Sequence, residues 1–89
     1  MTFSLPSMLD TAAAAPLAAS LGELLTAAKP VRLDGSEVTR VGQACLQVMM
    51  SARLSAGKAG IDLVVEQPSD ELRASGTLAG LDALFAPVL

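Results

Sequence analysis

The sequence predicts an α/β fold, with a small, mostly parallel or mixed sheet of about four strands and three to four helices. Short aliphatic segments alternate with longer segments of helical periodicity, which is the pattern of strand–helix–strand units. Polar turns and prolines separate these segments. In Ile61–Val65, four of the five residues are aliphatic, as expected of a strand buried on both faces of a parallel sheet.

The N-terminal third is predicted to form one strand and one helix. Thr2–Leu5 is the first strand, and Pro6 ends it. Asp10 or Thr11 can cap a helix that runs to about Ala28, just before Lys29 and Pro30. One apolar stripe is expected along this helix, formed by Leu17, Leu21, Leu24 and Leu25.

The middle third is predicted to form a second strand, a turn and a second helix. Val31 and Leu33 make the strand, and Asp34-Gly35-Ser36 make the turn. The helix runs from about Gln43 to about Ala56, and its crossover to the next strand should be right-handed. Its inward-facing residues are expected to be Leu46, Met49, Met50 and Leu54.

The C-terminal third is predicted to contain the buried strand Ile61–Val65 and a third helix. Ser69 is placed to cap this helix, and two acidic residues follow in its first turn, where negative charge is favourable. Gly76 and Gly80 should make the helix short or broken. The tail, Leu84–Leu89, either adds a last strand or packs loosely.

Composition narrows the classes of function. The 89 residues suffice for a single domain, residues 1–89, whose core must be Leu, Val, Ala and Met because Trp and Tyr are absent. A net charge of −3, with six scattered Lys and Arg, disfavours nucleic-acid binding. The longest uncharged runs, Thr11–Gly22 and Val41–Ala52, are shorter than the ~20 residues that span a bilayer, so no membrane insertion is expected.

The cysteine and histidine content limits the chemistry. With one cysteine and no histidine, we expect no internal disulfide, no metal site, no cofactor and no catalytic residue. The N-terminus has no basic leader, and a cytoplasmic location is expected. Cys45 falls in the first turn of the second helix, where the helix dipole can lower a thiol pKa. A Cys45-based redox sensor is therefore an alternative to a buried, packed thiol.

Four motifs along the chain occur in a recognisable order. Residues 34–38, Asp-Gly-Ser-Glu-Val, match an Asp-x-Ser-x-Val turn that ends a strand, and residues 42–46, Gly-Gln-Ala-Cys-Leu, stand at the start of the following helix. Residues 69–73 and 80–85 look like a third helix and a Gly-Leu-Asp exit. Over residues 9–85, the order and spacing of these motifs resemble the STAS domain, and the predicted fold is STAS-like.

The resemblance implies a function. STAS domains are the fold of bacterial anti-sigma-factor antagonists and of the small cytoplasmic subunit of lipid-transport ABC systems. The resemblance therefore implies that this chain is a non-enzymatic interaction module in bacterial signal transduction, with an anti-sigma-factor kinase or a chemotaxis component as its partner. Leu46-Gln47-Val48 is similar to stand-alone STAS proteins of chemotaxis gene clusters. The alternative is an accessory subunit that supports the ATPase of a lipid-transport ABC complex.

The start of the second helix departs from the family pattern, Asp-Ser-Ser-Gly-Leu or Asp-Thr-Gly-Gly-Leu. In the antagonists the second Ser is the phosphoacceptor, and phosphorylation expels the partner by adding ~2 negative charges to a packed interface. Ala44 occupies that position, while Gly42 replaces the leading acid and Cys45 the following Gly. The resemblance thus implies a docking face without a phosphoacceptor at this corner.

The predicted docking face is the loop after the second strand together with the start of the second helix. Arg40 and Gln43 are the long polar side chains expected to reach a partner, although simple solvation is the alternative. Asp34 should hold the turn, and Ser36 and Thr39 either satisfy backbone groups or serve as other phosphoacceptors. The predicted partner-binding residues are Asp34, Ser36, Thr39, Arg40, Gly42, Gln43 and Ala44.

The N-terminal strand is also relevant to oligomeric state. Because Thr2–Leu5 is short, it leaves that side of the sheet with little cover. An edge of this kind allows a homodimer, which we retain as a further expectation about partners.

Overall fold

The computed structural model describes residues 2–81, 84 and 85. Strands and helices alternate along the chain, as the sequence predicts, and the strands pair in parallel. The elements in chain order are β1 (Thr2–Ser4), β2 (Met8–Leu9), α1 (Thr11–Thr26), β3 (Val31–Asp34), β4 (Arg40–Val41), α2 (Gln43–Ala59), β5 (Leu63–Glu66) and α3 (Asp70–Leu78).

The strands form two parallel groups. The larger sheet has the order β1-β3-β5, with Phe3 opposite Leu33 and Leu33 opposite Val65. Phe85 adds a parallel bridge to Val65, and the remainder of the tail, residues 86–89, lies outside the described residues. Parallel neighbours require crossover connections, which α1 and α2 supply.

The second group, the pair β2-β4, was not predicted. Its strands have two residues each, with Met8 opposite Arg40 and Leu9 opposite Val41. A two-residue strand carries no period that a sequence pattern could reveal, and only the pairing of distant segments defines it. The strand predicted over Ile61–Val65 is observed slightly later in the chain, as β5. Its bounds are set by pairing, because the four residues of β5 are those opposite the four residues of β3.

The helix ends follow local chemistry. The Asp10 carboxylate accepts a hydrogen bond from the Ala13 N–H at 3.1 Å and caps α1, and the Ser69 hydroxyl accepts one from the Leu72 N–H at 3.1 Å and caps α3. Gly60, with φ of 70°, ends α2 in the left-handed conformation that glycine adopts most easily. The predicted caps at Asp10 and Ser69 are therefore confirmed.

The core lies between the larger sheet and the helices. Leu33 from β3, Val65 from β5, Met49 from α2 and Leu72 from α3 are completely buried in it. Along α1, Leu17 and Leu21 are buried while the C-terminal leucines of the predicted stripe are only half-buried.

The predicted inner face of α2 is partly wrong. Leu54 is 57% exposed, and Leu46 and Met50 are half-buried. The helix is rotated by about one residue, roughly 100°, from the prediction. It packs against α1, and its small side chains rather than Leu54 face inward. The buried stripe is formed by Cys45, Met49, Ala52 and Ala56.

Phe85 packs against α3. Gly76 lies within this nine-residue helix and is buried, and the helix continues through it rather than breaking. A Cβ atom at Gly76 would lie 2.9 Å from Phe85 Cε2 and closer still to Cζ, so the aromatic ring needs a glycine above it. The Arg73 guanidinium lies 5.8 Å from the centre of the same ring.

Candidate functional site

The seven predicted contact residues lie on one continuous stretch, residues 34–44, which we call the β3–α2 segment. It begins with Asp34, the last residue of β3, passes through a turn and β4, and ends in the first turn of α2. Arg40 and Gln43 are exposed, whereas Ala44 is half-buried. The structure thus places the two long polar side chains on the surface, where a partner could contact them.

The turn after β3 is fixed by Asp34 and Gly35. The Asp34 carboxylate accepts a hydrogen bond from the Ser36 N–H at 2.9 Å, and this bond lowers the pKa of the Asp34 carboxyl below its ordinary value. Gly35 is buried, and a Cβ atom there would lie 2.5 Å from Leu72 Cδ2. Asp34 therefore holds the turn, while the Ser36 side chain remains exposed.

Ser7, in the loop between β1 and β2, anchors the next part of the segment. Its carbonyl accepts hydrogen bonds from the Thr39 N–H at 2.7 Å, from the Arg40 N–H at 3.2 Å and from the Thr39 hydroxyl at 3.1 Å. The Thr39 hydroxyl therefore satisfies a backbone group, which is the structural alternative that the sequence left open. The same bonds hold the backbone of Arg40 in place.

The start of α2 differs from the starts of α1 and α3. Its N-cap is Gly42, which has no side chain to accept from the first-turn N–H groups, and its first turn contains no acidic residue. The Gly42 N–H donates to the Leu9 carbonyl at 2.7 Å, and a Cβ atom would approach that oxygen to 3.3 Å. Since helix N-termini carry partial positive charge, this end of α2 presents a weakly positive surface without charged side chains.

Cys45 faces the interior. It is completely buried, and its thiol donates to the Asp10 carbonyl at 3.3 Å. Burial, and to a lesser degree the nearby Asp10 carboxylate, raise the pKa of the Cys45 thiol. A buried thiol with a raised pKa has little thiolate to react, so its environment favours packing over redox chemistry.

An apolar hollow borders the β3–α2 segment, and the sequence did not indicate it. The hollow has a volume of about 280 Å³ and lies between the start of α2 and the end of α3. Val41, Gln43 and Leu46 line it from one side, and Leu78 lines it from α3. Leu78 is 91% exposed at the C-terminal end of α3.

The position of Leu78 has a simple origin. The buried residues of α3 are Leu72 and Gly76, and Leu78 lies two positions beyond the second of them, off the buried face. The glycines at 76 and 80 predicted a short or broken helix, and α3 is short, with nine residues, but unbroken. The continuity of α3 through Gly76 places Leu78 at the hollow beside the β3–α2 segment.

Neither a metal-ligand cluster nor a membrane-spanning helix occurs in the part of the chain that the structure describes. Within residues 2–81, 84 and 85, no three His, Cys, Asp or Glu residues come together as metal ligands would. Over the same residues, no helix has the length and apolar character needed to cross a membrane.

Comparison with known proteins gives one family. A family model described as Mlab, STAS domain, matches residues 1–87, nearly the whole chain. No curated protein matches the sequence.

Proposed function

The chain belongs to the STAS domain family, and we propose that it is a non-enzymatic protein interaction module that docks through the β3–α2 segment. The family supports a general role in interaction and signalling. We place the module in the bacterial cytoplasm, in signal transduction, with an anti-sigma-factor kinase or a chemotaxis component as its partner.

One observation carries this proposal. The exposed Gln43 lines the hollow at the end of α3, where Leu78 is almost fully exposed, and the exposed Arg40 directly precedes Val41, another lining residue. Protein interfaces commonly combine an apolar anchor with a polar rim that fixes orientation. Leu78 and the hollow would supply the anchor, and Arg40 and Gln43 would supply the rim.

We do not expect phosphorylation at the start of α2 to regulate docking. Ala44 has no hydroxyl group, the Thr39 hydroxyl donates to the Ser7 carbonyl, and Ser36 lies in the turn after β3 rather than at the helix start. We therefore propose that docking is constitutive or is controlled from the partner's side.

The absence of a phosphoacceptor at Ala44 also favours a second candidate function. A docking face that cannot be phosphorylated at this position suits a permanent complex as well as a regulated one. An accessory STAS subunit bound to the ATPase of a lipid-transport ABC complex would use it in this way. A stable one-to-one complex that survives purification would support the subunit, and an exchanging complex would support the signalling module.

The test is a pull-down from the native organism with tagged chain and quantitative mass spectrometry. Gln43→Glu and Arg40→Glu should each reduce recovery of the partner by at least tenfold without lowering the melting temperature, because both side chains are exposed. A negative charge at Gln43 is also favourable in the first turn of α2.

Two leucines provide a matched pair for the same experiment. Leu78→Ala removes the exposed anchor, whereas Leu54→Ala removes a leucine that is 57% exposed and does not line the hollow. Only the first change should reduce recovery. Equal recovery with both variants would refute docking at the end of α3, and unchanged recovery with Arg40→Glu and Gln43→Glu would refute the β3–α2 segment as the docking face.

A further inference from the structure

A second surface lies on the outer side of the helix pair α1 and α2; it shares Ala44 with the β3–α2 segment but shares no lining residue with the hollow at α3. The two helices pack against each other and leave a groove of about 510 Å³ along their outer face. Ala14, Ala18 and Leu25 line it from α1, and Val48, Ser51 and Ser55 line it from α2. The groove extends over most of the length of both helices.

The groove is free of charge. None of the eleven residues that line it carries an ionisable side chain. The two longest uncharged runs of the chain, Thr11–Gly22 and Val41–Ala52, contribute all of the lining residues except Leu25 and Ser55. The outer face of a surface helix normally carries charged residues, but α1 has a single charged residue in sixteen, Glu23, and alanine is the commonest of its exposed residues.

We propose that this groove is a self-association surface, covered by the same face of a second copy of the chain. A two-fold interface places a patch against itself, so like charges within the patch would oppose each other. The chain has a net charge of −3 and repels its copies at long range. At the groove, two copies meet without opposing charges.

The polar groups of the groove are also self-complementary. The hydroxyl groups of Ser51 and Ser55 and the amide of Gln47 can each donate and accept hydrogen bonds. When such a patch meets itself, every polar side chain in it can therefore act as donor or as acceptor toward the other copy. A partner with a charged surface would gain no complementary charge here.

The available area suits a weak dimer. A helix of 16 residues, the length of α1, is about 24 Å long, and two packed helices present a face about 20 Å wide. Each copy therefore offers roughly 480 Å², and two copies would bury roughly 960 Å², which is just below the range of stable interfaces. We expect a dimer that forms reversibly as the protein concentration rises.

Sedimentation of the purified full chain tests this proposal. The weight-average mass should rise from the 9.0 kDa of one chain toward twice that value as the concentration approaches about 1 mM. Ala18→Glu should hold the mass at that of one chain, because it places a charge in the groove. Ala19→Glu is the matched control, since Ala19 is exposed on the same helix and does not line the groove.

A second substitution, Ser51→Glu, examines the wall formed by α2. It should abolish association as Ala18→Glu does, and circular dichroism should show that each variant is folded. A chain that remains monomeric at about 1 mM, or equal association of the Ala18→Glu and Ala19→Glu variants, would overturn the proposal. If Ala18→Glu instead abolished recovery of a pull-down partner from a monomeric chain, the groove would belong to that partner, and docking through the β3–α2 segment would still be judged by its own variants.

Discussion

Two glycines within helices should respond to the same substitution with opposite signs. Gly→Ala in a helix interior normally stabilises a protein by about 0.5–1 kcal/mol, because glycine loses more backbone entropy on folding. A Cβ atom at Gly57 in α2 would meet no neighbouring side chain or segment within 4 Å, so Gly57→Ala should gain this amount. Gly76 in α3 lies against the ring of Phe85.

The magnitude at Gly76 follows from the packing. The added methyl group would lie 2.9 Å from Phe85 Cε2 and closer to Cζ, well inside van der Waals contact. Phe85 is 7% exposed and paired to Val65, so its ring has little room to move away. Overpacking of this kind costs about 1–3 kcal/mol. After the helix-propensity gain, Gly76→Ala should destabilise the protein by about 1–2 kcal/mol.

Thermal unfolding followed by far-ultraviolet circular dichroism measures both effects, since the chain has no Trp or Tyr for fluorescence. For a domain of this size, 1 kcal/mol corresponds to about 4–8 °C in melting temperature. Gly57→Ala should therefore melt a few degrees above the parent chain and Gly76→Ala about 5–10 °C below it.

A double mutant isolates the contact between Gly76 and Phe85. In a Phe85→Leu background the ring is absent, and Gly76→Ala should become neutral or stabilising, with a coupling energy of about 1 kcal/mol or more. Equal stabilisation by both alanines in the parent chain would refute the assignment of Gly76 as a packing contact.

Three further predictions concern the buried and titrating groups. Met49→Ala should cost about 2–5 kcal/mol in urea unfolding and Leu54→Ala less than about 0.5 kcal/mol, and similar losses would contradict the rotation of α2. Cys45 should resist iodoacetamide until the chain is unfolded. Because the pKa of this thiol is raised in the folded chain, its contribution to stability should be complete below the unfolded thiol pKa of about 8.5 and should fall as the pH rises beyond that value. Cys45→Ala should abolish this fall in stability. Carbon NMR should give the Asp34 carboxyl a lower pKa in the folded chain than in an unfolded peptide. Its contribution to stability should therefore be present above the unfolded pKa and be lost as the pH falls through the folded pKa. A pKa equal to that of the unfolded peptide would show that the hydrogen bond from the Ser36 N–H is absent in solution.

Features that depend on neighbouring residues could be predicted from the sequence. The caps at Asp10 and Ser69 and the turn at Asp34 each use a side chain that bonds to backbone two or three residues away. These bonds need no knowledge of the rest of the fold. The alternation of strand and helix could be predicted for the same reason.

Features that depend on distant segments could not be predicted. The strands β2 and β4 exist because they pair with each other, and Thr39 is fixed by a carbonyl 32 residues away. The inner face of α2 was misassigned because hydropathy favoured Leu54, whereas Ala52 and Ala56 face the interior in a helix that also packs against α1. Leu78 was not among the predicted site residues because Gly76 and Gly80 predicted a short or broken helix, whereas the need for glycine at position 76 comes from its contact with the distant Phe85 ring.

The three bonds that the Ser7 carbonyl accepts have a practical consequence. They make the opening residues of the chain part of the framework that shapes the β3–α2 segment, together with the Leu9 carbonyl that receives the Gly42 N–H. Proteolytic trimming of the first ten residues would therefore distort a recognition surface more than thirty positions downstream, even if the helices survived. Affinity handles and fluorescent labels are best kept away from the beginning of this polypeptide.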